Sequence, residues 1–117
     1  MTTEEESQIN IFRCLDFIRD NSSAYAKAKA DRVYMEEFRK SKKALLMKAA
    51  EARGHNAFAA QEREAYADQE YQEHIAALGM AVEAEETLRW RIIAAQAKIA
   101  CWQTLEATRR LELKVIP

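Results

Sequence analysis

Glycine and proline are almost missing from this sequence: its 117 residues include two glycines, Gly54 and Gly79, and one proline, the final Pro117. The turns of a multi-stranded sheet draw heavily on these two residue types. Their scarcity excludes a β-sandwich, a dinucleotide-binding α/β domain and a Gly-rich phosphate loop. Long apolar runs are also missing, and nothing approaches the ~18 consecutive apolar residues of a membrane span. An excess of one charge is absent too, because 18 basic residues face 19 acidic ones. A polycation that coats nucleic acid along its whole surface is therefore excluded. Histidine and cysteine number two each: His55 and His74, Cys14 and Cys101. With so few, there is no C-x-x-C, no H-E-x-x-H and no nucleophile with an adjacent histidine to activate it. Glu70 and His74 lie four apart on one helix face. The residue three before His74 is Tyr71, however, where a di-iron bundle needs Glu. No catalytic residue, cofactor or metal is expected, and the chain is not expected to be an enzyme.

What is present is helix former. Ala, Glu, Lys, Arg, Leu and Gln dominate a chain that is 49% hydrophobic and 32% charged, which predicts an ordered all-α protein. Thr3 followed by Glu6 has capping-box spacing and predicts a first helix over about 4–20. Its many apolar residues suggest burial on more than one side. Asn21-Ser22-Ser23 supplies a stop and a new N-cap, so a second helix is predicted over about 24–53, with Gly54 as its C′ glycine. Its apolar stripe reads Ala30, Val33/Tyr34, Phe38, Ser41, Leu45, Ala49 and Ala52. Asn56 can cap a short helix over about 57–67, and Asp68 a long one over about 69–114. Along that last helix the residues Tyr71, Ile75, Leu78, Val82, Glu85, Leu88, Ile92, Ala95, Ile99, Trp102, Glu106, Arg109 and Leu113 step by threes and fours, as a helix–helix seam does. Gly79 is the place where a bend or break is cheapest.

A second stripe, Trp90, Ile93/Ala94, Ala97, Cys101 and Leu105, occupies only the C-terminal half of the long helix. At 1.5 Å per residue that helix reaches ~67 Å, longer than the other segments of one chain can cover. The expected architecture is a single all-α domain: an elongated antiparallel helical hairpin, coiled-coil-like, with a short N-terminal helix. It is expected to be a homodimer or higher oligomer, with Trp90, Ile93, Ala97, Cys101 and Leu105 at the interface between copies.

Charge is distributed in blocks. Residues 24–53 carry nine basic and four acidic residues, and residues 54–87 carry one and eight. In an antiparallel hairpin these blocks lie side by side and select the register, at ~0–1 kcal/mol per surface pair. The basic block includes Arg39, Lys40, Lys42, Lys43, Lys48 and Arg53, the candidate contacts for a nucleic-acid backbone, with Tyr34 and Phe38 near for base stacking. The alternative reading of the same residues is a solvated helix face with intramolecular partners.

The segments AYAKAKADRVYMEEFRKSKKALLMKAAEARG from Ala24, AAQEREAYADQEYQEHIAAL from Ala59 and RWRIIAAQAKIACWQTLEATRR from Arg89 resemble small helical proteins encoded in the early regions of tailed bacteriophages. The resemblance implies an accessory factor that works beside recombination genes through partners, and it assigns no functional residue. Two functions follow as expectations: a non-enzymatic helical interaction protein acting through protein partners in DNA metabolism, or a nucleic-acid-binding accessory protein using the basic block. The acidic start, Met1-Thr2-Thr3-Glu4-Glu5-Glu6, is unlike the basic start of a secretory signal. The expected location is the cytoplasm, that of the host cell if the chain is phage-encoded, and no membrane contact is expected.

Overall fold

The computed structural model describes residues 9–115. Three helices make up nearly all of it: α1 (Ile11–Ala52), α2 (Phe58–Ala67) and α3 (Gln69–Val115), with no strand among the described residues. The all-helical class expected from composition is what the chain adopts.

Asn10 opens α1. Its side-chain oxygen accepts the Arg13 N–H at 3.1 Å, and its carbonyl accepts the Cys14 N–H at 3.2 Å, the arrangement of an N-cap. The capping box expected at Thr3 and Glu6 lies outside the described residues.

The stop expected at Asn21-Ser22-Ser23 does not occur, and the two helices predicted over 4–20 and 24–53 are one, 42 residues long from Ile11. Side-chain bonding explains the difference. The Asn21 amide donates to the Phe17 carbonyl at 2.9 Å and the Ser22 hydroxyl donates to the Ile18 carbonyl. Both side chains therefore bond back to the turn below instead of capping a new helix.

At the other end Gly54 is the predicted C′ residue, with φ of +104°. Its N–H reaches the Glu51 carbonyl at 3.0 Å and the His55 N–H reaches the Ala50 carbonyl at 3.1 Å, which closes a Schellman motif. Ala57, not Asn56, stands at the N-cap of α2 and makes no side-chain cap bond. The turn is held from inside the helix, where the Gln61 amide donates to the His55 carbonyl at 2.9 Å. Asp68 closes α2 and opens α3, accepting the Glu70 N–H on its carboxylate at 2.8 Å. α3 then runs 47 residues through Gly79 without a break, about 70 Å at 1.5 Å per residue.

Residue contacts gather into two units, Met1–Tyr25 with Thr87–Pro117, and Ala26–Glu86. Within Ala26–Glu86, the pairs linking α1 to α3 run in opposite senses: Arg32 meets Glu85, the Met35 carbonyl meets His74 Nε2 at 2.8 Å, and Lys42 meets Glu70 at 3.1 Å. Ala50 and Ala65 are fully buried and Glu85 is 5% exposed. The inward residues of α1 are Ala28, Arg32, Met35, Lys42, Lys43, Leu46, Met47 and Ala50. The stripe predicted to be its seam is instead exposed from Ala30 to Ala52, with Tyr34 at 67% and Leu45 at 60%. Charged side chains bury their methylene stems on the inner face, and that hides the face from a search for apolar residues.

Within the other unit, Cys14 and Ala95 are buried, with Phe17, Ile18, Leu88, Ile92, Ile99 and Trp102 half-buried around them. Phe12 and Leu15 are exposed, so the start of α1 is covered on one side, not on several. The two cysteines are free.

Candidate functional site

The basic block of α1 lies in the Ala26–Glu86 unit, and most of it is matched to carboxylates. Lys42 pairs with Glu70 at 3.1 Å, Lys43 with Glu62 at 2.9 Å, Arg53 with Glu64 at 3.9 Å, and Lys40 with Glu37 at 3.5 Å. Lys42 and Lys43 are half-buried. The Lys43 ammonium also lies 4.7 Å from the centre of the Tyr66 ring. Its pKa is raised above the ordinary lysine value, first by the neighbouring Tyr66 side chain and then by Glu62. Arg39 and Lys48 are exposed and enter no ion pair among the described residues. The structure thus gathers Lys42, Lys43 and Arg53 against α2 and the start of α3 as the charge blocks predicted, and leaves two of the six cations, Arg39 and Lys48, without an ion pair among the described residues.

At one end of this unit, near its first and last residues, is an ionic cluster that the sequence analysis did not single out. Arg32 holds Glu85 with two guanidinium nitrogens and Glu36 with a third at 3.0 Å. The Glu85 hydrogen bond is the main reason that its pKa lies above the ordinary arginine value. The signal for it was present, since Glu85 is the one charged residue of the stripe between Tyr71 and Trp102 and a buried carboxylate requires a cation. Glu70 and His74, the one pair with chelating spacing, are both engaged, Glu70 by Lys42 and the His74 ring by the Met35 carbonyl.

The stripe proposed as an interface between copies lies in the other unit. Trp90 and Leu105 are each 57% exposed, Ala97 and Cys101 are exposed, and Ile93 is half-buried. The Arg89 guanidinium lies 4.8 Å from the Trp90 ring centre, a cation–π contact that leaves much of the indole open. Beside this stripe is a cleft floored by Cys14, Phe17, Ala94 and Ala95 and rimmed by Arg13, Arg91 and Lys98, with no carboxylate in its lining. Its sequence signal was the absence of any Asp or Glu between Glu86 and Glu106.

A third surface emerges only from the structure. The outward stripe of α1 presents Tyr34 and Phe38, stacked with centroids 5.8 Å apart and planes 10° apart, followed by Leu45 about two turns further on. Phe38 is 36% exposed and its other edge meets His74 at 5.6 Å. No family model, curated protein or solved structure matches the chain.

Proposed function

We propose that this chain is a non-enzymatic helical interaction protein, a coiled-coil-like hairpin that works by covering its apolar helix faces against partners, a second copy of itself among them. The observation that carries this reading is the row of large apolar side chains left open on regular helix, Trp90 and Leu105 on α3 and Tyr34 and Leu45 on α1, each more than half exposed. Single exposed apolar residues are ordinary, whereas rows of them at helical spacing are what partner helices cover. The resemblance to helical proteins of phage early regions supports a partner in a DNA-metabolism assembly in the cytoplasm of the host cell.

Sedimentation equilibrium over a wide concentration range tests the reading. The expected result is a homodimer or higher oligomer, weakened by Trp90→Glu with Leu105→Glu at unchanged helicity. A chain that stays monomeric throughout removes the self-association on which the reading depends.

Nucleic-acid binding is the second reading, favoured by the cations without ion-pair partners, Arg13, Arg91 and Lys98 around the cleft and Arg39 and Lys48 on α1. Binding through phosphates weakens steeply as salt rises. Fluorescence anisotropy with labelled single-stranded and duplex DNA at two salt concentrations decides it, because an absence of binding at low salt leaves these cations as surface charge.

A further inference from the structure

The outward stripe of α1 is complementary to its own reversal, in residue size and in charge. Its members Ala30, Tyr34, Phe38, Ser41, Leu45, Ala49 and Ala52 advance by four, four and three. That eleven-residue period keeps a seam on one face of a nearly straight helix. Reversed about a point just past Ser41, the stripe becomes its own complement: Tyr34 falls opposite Ala49 and Phe38 opposite Leu45, and the two copies of Ser41 lie beside the axis. Each bulky ring then meets a smaller residue, as interdigitating helices require.

The flanks carry the same symmetry. At 100° per residue, Glu37 and Lys48 border one edge of the stripe, and Asp31 and Arg53 border the other. A two-fold axis between antiparallel helices places the same edge of both copies together. Glu37 of one copy therefore lies about 3 Å along the helix axis from the level of Lys48 of the other, and Asp31 about 1.5 Å from that of Arg53, offsets that long side chains span, and each pair occurs twice. Lys48 and Asp31 are exposed and enter no ion pair among the described residues, while Glu37 and Arg53 hold only long, exposed ones at 3.5 and 3.9 Å. Lys42, which comes closest to its own twin near the axis, is already matched by Glu70.

From this juxtaposition we infer that the outward face of α1 binds the same face of a second copy, antiparallel, about a two-fold axis beside Ser41. The inference rests on the reading of the chain as an interaction protein and names one partner and one register for it.

Charge reversal tests both, with the full chain and sedimentation equilibrium at low salt. Glu37→Lys and Lys48→Glu are each expected to weaken self-association about tenfold, since each breaks two symmetry-related pairs and juxtaposes like charges. Combined in one chain they are expected to restore it to within about threefold of the parent. A second measurement uses Cys101→Ser chains, in which the remaining native thiol, Cys14, is buried. Ser41→Cys is expected to form a disulfide-linked dimer under mild oxidation, and Leu45→Cys is not, because Leu45 faces Phe38 of the second copy. A dimer that ignores the charge reversals, or that cross-links equally through Leu45→Cys, overturns the antiparallel α1 pairing and leaves the broader interaction reading standing. A monomer at every concentration overturns both.

Discussion

The two glycines offer the same substitution in opposite surroundings. Gly79 has ordinary right-handed helix backbone, and a Cβ built on it meets nothing within 4 Å. Gly54 also has open space around it, but its φ of +104° is one that L side chains adopt only under strain. Alanine at position 79 should therefore gain the full difference in helix propensity, about 0.8–1.0 kcal/mol. Alanine at 54 should lose about 1 kcal/mol through the left-handed backbone. With an unfolding entropy of about 2.1 cal/mol/K per residue, a chain of 117 residues moves its melting temperature by about 4 °C per kcal/mol. Circular dichroism at 222 nm, at one fixed protein concentration so that self-association does not shift the midpoint, should show Gly79→Ala melting about 3–4 °C higher than the parent. Gly54→Ala should melt about 4 °C lower. A Gly79→Ala protein that melts at or below the parent temperature would refute the reasoning, because an unbroken, unobstructed helix at that position leaves the alanine nothing to lose.

Three further outcomes follow from local bonding. Asn10→Ala removes the N-cap of α1 and should cost about 1 kcal/mol by thermal melting, while Asn10→Asp keeps most of that stability. Glu85→Ala leaves the Arg32 guanidinium on the inner face without its main partner and should lower the melting temperature more than Asn10→Ala does, with Glu85→Gln recovering part of the loss; equal melting of Glu85→Ala and the parent would contradict the ionic cluster. The Lys43 pKa is raised on folding above its ordinary 10.5, so the native state keeps a proton that the unfolded chain releases. Its contribution is complete below about pH 10.5 and is lost as pH climbs through the folded value. Melting curves from pH 9 to 12 should show the gap between the parent and Lys43→Met closing as pH rises.

Periodicity on α3 proved readable because its inward face is built mainly of apolar side chains. Tyr71, Ile75, Leu78, Leu88, Ile92, Ile99 and Trp102 are half-buried, and Glu85 and Ala95 are buried, as the stripe foretold, whereas its members Val82, Arg109 and Leu113 are exposed. On α1 the same search picked the wrong face. There the inward positions include Arg32, Lys42 and Lys43, whose chemistry announces solvent while their stems and ion pairs face inward, and the apolar residues Tyr34 and Leu45 point away. The ends followed a similar division. Gly54 and Asp68 were readable because a left-handed residue and an Asx cap have one local solution each. Asn21 and Ser22 have two, capping or back-bonding to the preceding turn, and only the continuity of the helix chooses between them. The candidate surfaces were half visible: the Trp90 stripe stands out in sequence, while the α1 face becomes a surface only once Arg32 and Glu85 show which side of that helix is inward.

Among the described residues the buried apolar positions are Cys14, Ala50, Ala65 and Ala95, three of them alanines with no side chain left to trim. In most cores the damaging change is truncation, which opens a cavity. Here the damaging direction is enlargement: a single added methyl or isopropyl group at position 50 or 65, both with no exposed surface, has to push two helices apart. In a mutational scan, intolerance should therefore concentrate at the smallest residues, with Ala→Val among the harshest changes at these positions, while many of the larger apolar residues accept replacement. Evolution of such a chain is held by a ceiling on side-chain volume at a few close-contact points, leaving its bulky residues free to diversify the surfaces it offers to others.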